Sequence, residues 1–333
     1  MTLTNERDIS TLRQGLERWL GRPVGEIRRP APGWSCETLV VEGELVIRLP
    51  PLGEGIFPTY DLAQQAAVQE AVHRCGVPTA APVRYEPDPA FLGAPFISMP
   101  FVRGPIPQEF TSGDPWLRSL GEYAQRSVWR SFLDTVCDVH AVKVTGLGAT
   151  VTSLDLRCGI DADVAFWESY LSWANDGEPL PALTEALGWC LANQPVDQPA
   201  NALLWGDVRL GNVVFDETTL TPKAVLDWDM ASFGPIEMDI AWFVALEQLQ
   251  RDLSGMALAG FGGRGETIRI LANRIGRELC DLEWYEIYAL VRASAVSTRI
   301  AILFERAGKR SMFKIGEDPA LLAATKRIAE SHR

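Results

Sequence analysis

Apolar residues recur along this chain in two rhythms. Ile9, Leu12, Leu16 and Trp19 repeat at helical spacing, which predicts a first helix stopped by Gly21 and Pro23. Shorter apolar runs follow. Residues 27–29 form one, then residues 38–41 and 45–49 flank Glu42-Gly43-Glu44, a hairpin signal. The Pro- and Gly-containing stretch 30–36 reads as a turn before that hairpin. Helical spacing returns over residues 61–75, where Ala67, Val68, Ala71, Val72 and Cys75 share a face and Gly76-Val77-Pro78 closes the element. A strand over 96–99 leads into residues 100–107, a linker with one glycine and three prolines.

Beyond the linker the pattern is mainly helical. The spacing predicts helices over 116–144, 162–174, 181–193, 237–253, 266–276 and 284–306. Two short strands, 213–215 and 224–226, interrupt them. The order implies an α+β chain of two lobes. Residues 1–103 make a small β-rich lobe, a hinge lies at about 99–107, and residues 104–333 make a larger helical lobe. A ligand in such an arrangement is expected between the lobes.

Composition narrows the classes. The 333 residues are 47% hydrophobic and 22% charged, which is globular rather than disordered or rod-like. The net charge of −12 argues against nucleic acid as a partner, because phosphate backbones require clustered Lys and Arg. Residues 1–20 lack the apolar core of a signal peptide, and no run approaches the roughly 18 apolar residues expected of a membrane span. Six scattered cysteines without a CxxC read as reduced thiols of a cytoplasmic protein. Three dispersed histidines do not suggest a His-based metal site, and His140 reads as a packing residue. Gly262-Gly263-Arg264-Gly265 lacks the pattern of a phosphate loop.

The chemistry concentrates in residues 203–229. Asp207 and Asn212 bracket a glycine-containing loop that enters the first short strand, and Asp227 directly follows the second. A hairpin of those strands brings Asn212 and Asp227 to neighbouring ends. A carboxylate and an amide oxygen there suit Mg²⁺ bound to phosphate oxygens. Asp207 would sit beside that site, where a hydroxyl needs a base.

The set Trp205-Gly206-Asp207 through Asn212, then Leu226-Asp227-Trp228-Asp229, then Asp239-Ile240-Ala241-Trp242 resembles the aminoglycoside phosphotransferase family. That family is the small-molecule branch of the protein-kinase-like fold, and the likeness runs from about Gly33 to Trp242. It implies that Asp207 orients and deprotonates an acceptor hydroxyl, and that Asn212 and Asp227 hold Mg²⁺ on ATP, with GTP as the other candidate nucleotide. Arg209 is expected to stabilise charge on the transferred group. Gly33 and Ser35 fall where the family covers the phosphates. Arg48 stands where a Lys normally reaches them, with Gln64, Gln65 and Glu70 as its possible helix partners. Pro100 would offer a hinge carbonyl and Val102 a hinge N–H to the base. Trp205 replaces the usual His, and Asp239 is expected to cap its helix and brace the loop.

Acceptor-binding residues are expected on the C-terminal helices, at Glu237, Glu283, Tyr285, Glu286, Tyr288 and Arg292. The implied function is an ATP- and Mg²⁺-dependent phosphotransferase acting on a small-molecule hydroxyl. The alternative is a non-catalytic, pseudokinase-like nucleotide-binding regulator. The sequence leaves the acceptor and the oligomeric state open.

Overall fold

The structure is a computed structural model; it describes residues 6–30, 35–143, 154, 156–196, 202–311 and 313–331. Helix α1 (Ile9–Leu20) starts on the Asp8 carboxylate, which accepts the Thr11 amide, and ends at Gly21. Strands β1 (Ile27–Arg28), β2 (Glu37–Val41) and β3 (Leu45–Leu49) follow, then α2 (Leu62–Arg74), β4 (Arg84–Glu86) and β5 (Phe96–Pro100). These strands form one antiparallel sheet in the order β1-β2-β3-β5-β4. The sheet packs α1 against one face through Leu12, Leu16, Leu39, Ile47 and Phe96. Helix α2 lies by β4 and β5.

The remainder is mainly helical. Helices α3 (Pro115–Ser119) and α4 (Glu122–His140) occupy the stretch that the periodicity predicts as one element. The break has a local cause. Asp114 caps α3 with Pro115 at its first position, and Leu120 and Gly121 then turn extended before α4 begins. Helices α5 (Gly159–Ala174) and α6 (Pro181–Ala192) come next. Strands β6 (Ala202–Leu204), β7 (Val213–Phe215), β8 (Pro222–Val225) and β9 (Ser232–Gly234) form two small antiparallel pairs, β7 with β8 and β6 with β9. Helices α7 (Glu237–Ser254), α8 (Arg264–Ile275), α9 (Leu282–Arg306) and α10 (Pro319–Ser331) complete the chain.

Helix α9 packs against α7, α10, α6 and α5. It is long and apolar enough to cross a bilayer by length and composition, but 83% of that window is buried within the fold. It is therefore placed as a core helix.

Several contacts join the sheet lobe to the helical lobe, among them the Pro78 carbonyl, which accepts the Val225 amide at 2.8 Å beside a Thr79–Val225 bridge. The linker after β5 lies flat on β7, where a Cβ on Gly104 would stand 2.0 Å from the Phe215 carbonyl oxygen. Only glycine permits that approach. A further connection is the segment between β3 and α2. Ile56 enters an apolar cluster with Ile300, Leu303 and Phe304 of α9. Its carbonyl accepts the Tyr170 hydroxyl at 2.7 Å, and the Gly55 carbonyl accepts Arg299 Nε at 3.1 Å. The Glu54 carboxylate pairs with Arg299 and with Arg306.

Candidate active site

The loop from Trp205 to Asn212 leaves β6 and enters β7. Gly206 adopts φ 90° and a Cβ there would lie 2.3 Å from the Met230 carbonyl oxygen, so the turn needs glycine. Asp239, in the first turn of α7, braces this loop rather than capping its own helix. Its Oδ2 accepts the Trp205 amide at 2.8 Å and its Oδ1 accepts the Gly206 amide at 2.9 Å. His140, at the end of α4, places Nε2 3.0 Å from Asp239 Oδ2. Both side chains are buried. The packing histidine of the sequence reading is therefore tied to the loop through one carboxylate.

Asp207 lies within this braced loop. Its Oδ2 accepts Asn212 Nδ2 at 2.7 Å and stands 2.9 Å from Arg209 Nε. Its Oδ1 accepts the Trp242 indole at 3.0 Å. Arg209 also reaches Glu109 at 3.5 Å.

Strands β7 and β8 bring Asn212 and Asp227 to one end of the hairpin. Val213 pairs with Val225, and the Leu226 amide donates to the Asn212 carbonyl at 2.8 Å. Asp227 has φ 61°, a left-handed conformation unfavourable for a residue with a Cβ. Trp205 supports it. The indole nitrogen donates to the carbonyls of Leu226 at 2.9 Å and Asp227 at 3.0 Å. The residue that stands in the family's His position thus holds the backbone on which Asp227 sits.

Arg48 on β3 reaches from the sheet lobe to the segment that follows β8. Its Nη2 lies 3.4 Å from Asp227 Oδ1, 3.2 Å from Asp229 Oδ1 and 3.4 Å from Ser35 Oγ. The three candidate partners on α2 are placed differently. Glu70 accepts the Val83 amide, and the Gln65 amide oxygen is buried without a hydrogen-bond partner among the described residues. Gln64 sits in the capped first turn of α2, its amide held by Asp61. Burial pushes the Asp229 carboxyl up to about 7, with Arg48 opposing and the neighbouring Asp227 charge adding to the rise. Asp227 moves the other way: burial opposes it, but Arg48 and Arg209 hold it below the usual carboxylate range. Burial also pushes the nearby Cys36 thiol up to about 12.

Pro100 ends β5 opposite Leu45. Val102 packs on an apolar cluster drawn from both lobes, which includes Cys36, Met99, Val214 and Leu226. Gly33 lies outside the described residues.

The six candidate acceptor residues are not brought together. Glu237 is fully buried and paired with Arg277 at 2.5 Å. Glu286 is fully buried between Arg264, at 2.6 Å, and Arg327. Glu283 is exposed. Tyr285 is buried, and its hydroxyl has no hydrogen-bond partner among the described residues. Tyr288 donates to Asp163 at 2.8 Å. Arg292 lies 4.8 Å over the Trp242 ring, with Nη1 3.6 Å from Asp163. Helix α9 is surrounded by neighbours, so its polar residues divide among partners, with Tyr288 and Arg292 sharing Asp163. Sequence reasoning missed the contacts of His140 and Trp242. Nothing local marks them, since Asp138 precedes His140, and Glu237 and Asp239 precede Trp242, so neither residue stands out from its neighbours.

Asn212 and Asp227 offer an amide oxygen and a carboxylate, hard donors that suit Mg²⁺. Because Asn212 Nδ2 is committed to Asp207, the amide oxygen is the group left for such a ligand. Among the described residues, no group of three or more His, Cys, Asp or Glu side chains is arranged to hold a metal. A cation here would therefore rely on phosphate and water oxygens as well, as Mg²⁺ commonly does.

Residues 26–272 match the phosphotransferase enzyme family. A relative from Gallus gallus, acyl-CoA dehydrogenase family member 11, is 28% identical over 241 residues, covering 68% of this chain. The chain spans only 30% of that relative's length. Among solved structures, a provisionally named aminoglycoside phosphotransferase from Ralstonia eutropha superposes with a TM-score of 0.66 at 18% identity, covering 94% of this chain and 93% of the other. The GDP complex of aminoglycoside 2'-phosphotransferase-IIIa gives 0.59 at 12% identity, covering 98% of each chain. These likenesses establish a protein-kinase-like α+β fold with a small sheet lobe.

Proposed function

The chain belongs to the phosphotransferase enzyme family, and from that premise we propose that it moves the terminal phosphoryl group of ATP or GTP to a hydroxyl of a small molecule. What carries this reading is the carboxylate of Asp207, clamped by Asn212 and Trp242 at the mouth of the β7–β8 hairpin, where the Asn212 carbonyl receives the amide of Leu226, next to Asp227 in sequence. Phosphoryl transfer needs mainly positioning and charge neutralisation, so a compact set of this kind is sufficient. Asp207 orients the hydroxyl and takes its proton. Asn212 and Asp227 would hold Mg²⁺, which would neutralise charge on the nucleotide phosphates. Arg209 and Arg48 supply the remaining positive charge, with Ser35 and Gly33 covering the phosphates. The base sits on the two-lobe apolar cluster, with the Pro100 carbonyl and Val102 N–H at its edge.

The hinge at 99–107 is the proposed boundary between a nucleotide lobe, 1–103, and a catalytic and acceptor lobe, 104–333. The cytoplasm, where nucleoside triphosphates and reduced thiols coexist, is the proposed compartment. The dehydrogenase named in the Gallus gallus relative is not carried over, because this chain spans less than a third of it.

The test is thermal unfolding with MgATP and MgGTP, followed by hydrolysis of whichever nucleotide binds. Ligand at 100 times Kd stabilises by about 2.7 kcal/mol. The reading requires a Mg²⁺-dependent shift that Asp227→Ala abolishes, and slow hydrolysis that Asp207→Asn abolishes while binding survives. Binding that ignores Mg²⁺ and hydrolysis that ignores Asp207→Asn would instead favour a non-catalytic nucleotide-binding regulator.

A further inference from the structure

Building on the phosphotransferase reading, we infer that Trp242 is the positioning residue for Asp207, and that Oδ1 of Asp207 is the oxygen that meets the acceptor hydroxyl. An ionised carboxylate has about four lone-pair positions, two on each oxygen. Oδ2 is occupied by Asn212 Nδ2 at 2.7 Å and crowded by Arg209 Nε at 2.9 Å. Among the described residues, Oδ1 receives a single donor, Trp242 Nε1 at 3.0 Å. The open lone pair is therefore on Oδ1, beside the indole. As the acceptor oxygen bonds to the terminal phosphorus, its proton passes to Oδ1. The bond from that phosphorus to the bridging oxygen breaks, and the nucleoside diphosphate leaves with the electron pair.

An indole N–H only donates, so Trp242 cannot compete for the proton that Asp207 is to receive. Its direction is fixed by the ring, and the ring is fixed from two sides. Trp242 follows Asp239 by three residues on α7, and Asp239 holds the backbone of the same loop at Trp205 and Gly206. One turn of α7 therefore sets both the path of the loop and the rotation of its carboxylate. On the other side lies the Arg292 guanidinium, 4.8 Å from the ring centroid and buried. Arg292 is steadied by Asp163 at 3.6 Å, and Asp163 is held by Arg157 at 3.0 Å and Tyr288 at 2.8 Å. A cation over an indole face is attractive, and polarisation along such a chain strengthens the next donor in a low-dielectric interior. Arg292 thus acts through Trp242 on Asp207.

Trp242→Phe separates this role from packing, because it keeps a ring under Arg292 and removes only the N–H and part of the bicycle. With water as acceptor and MgATP or MgGTP as donor, kcat is expected to fall at least tenfold. The nucleotide KM should stay within twofold. A raised KM with unchanged kcat would overturn the inference. A second measurement needs no turnover. In protein labelled with ¹⁵N-tryptophan, the Trp242 indole signal is identified by its loss in Trp242→Phe, and it should shift in Asp207→Ala. An indole signal unmoved by Asp207→Ala overturns the positioning role outright. Absence of hydrolysis by the unaltered protein would count against the phosphotransferase reading instead, with the indole shift still deciding the contact.

Discussion

The indole nitrogen of Trp205 lies 3.0 Å from the carbonyl oxygen of Asp227, across the gap between the two small sheets. This bond, with its companion to Leu226, supports the one left-handed residue of the candidate metal site. Removing a donor from a buried carbonyl costs about 1–3 kcal/mol. Trp205→Phe is therefore expected to lower Tm by a few degrees. It should also weaken Mg²⁺-dependent nucleotide binding more than binding without the ion, because Asp227 loses its support. Isothermal titration with and without Mg²⁺ checks this; equal losses in both would remove Trp205 from the site.

The pair Asp227 and Asp229 under Arg48 makes stability depend on pH. Asp229 is raised to about 7 in the folded chain, so folding takes up a proton that the unfolded carboxyl releases near its ordinary value. A raised group contributes stability at low pH and loses it as pH climbs through its folded value. In the absence of nucleotide, the unfolding midpoint should therefore fall from about pH 4 to about pH 7 through this group and level off above that. Asp229→Asn should flatten that segment of the profile. Identical pH profiles for the two proteins would show that Asp229 does not titrate there.

His140 and Asp239 offer a test by hydrogen exchange. Asp239 accepts the amides of Trp205 and Gly206 while His140 holds one of its oxygens. A hydrogen bond to a charged group is worth about 1.5–3 kcal/mol. His140→Ala should lower Tm and speed exchange of the Trp205 and Gly206 amides ahead of those in β7. Exchange slowed or unchanged at both amides would show that the histidine only fills space.

Much of this arrangement was readable before any coordinates. The strands flanking Glu42-Gly43-Glu44 lie where their apolar runs and the turn between them placed them, and β7 spans Val213–Phe215 as its apolar run indicates. Local patterns carry such information because the hydrogen bonds that define them are local. Strands β4, β6 and β9 escaped notice, since three residues give no periodicity and each is defined by its pairing, β4 with β5 and β6 with β9. Helix α10 was also missed, although Asp318 and Pro319 mark its start. Within the site, the order of Asp207, Asn212 and Asp227 was legible as a motif. The indoles that hold them were not, because a buried tryptophan looks the same in sequence whether its N–H meets a catalytic carboxylate or a backbone carbonyl. The proposed acceptor residues on α9 show the converse. Polar groups on a late helix suggested a binding face, whereas Glu286 and Tyr288 are already committed to Arg264 and Asp163.

The segment between β3 and α2 places Glu54, Gly55 and Ile56 on the far lobe, against Arg299, Tyr170 and Phe304. Together with the linker and the bond from the Val225 amide to the Pro78 carbonyl, it moors the smaller lobe at several points. A body tethered at one point can swing in any direction; each further tether takes a direction away. Arg48 lies on the strand that feeds this mooring, so that restriction reaches the cation facing Asp227 and Asp229. It follows that this lobe is a poor candidate for excision or transplantation. Cut free, it would carry an apolar side chain and a carboxylate shaped for a surface it no longer touches.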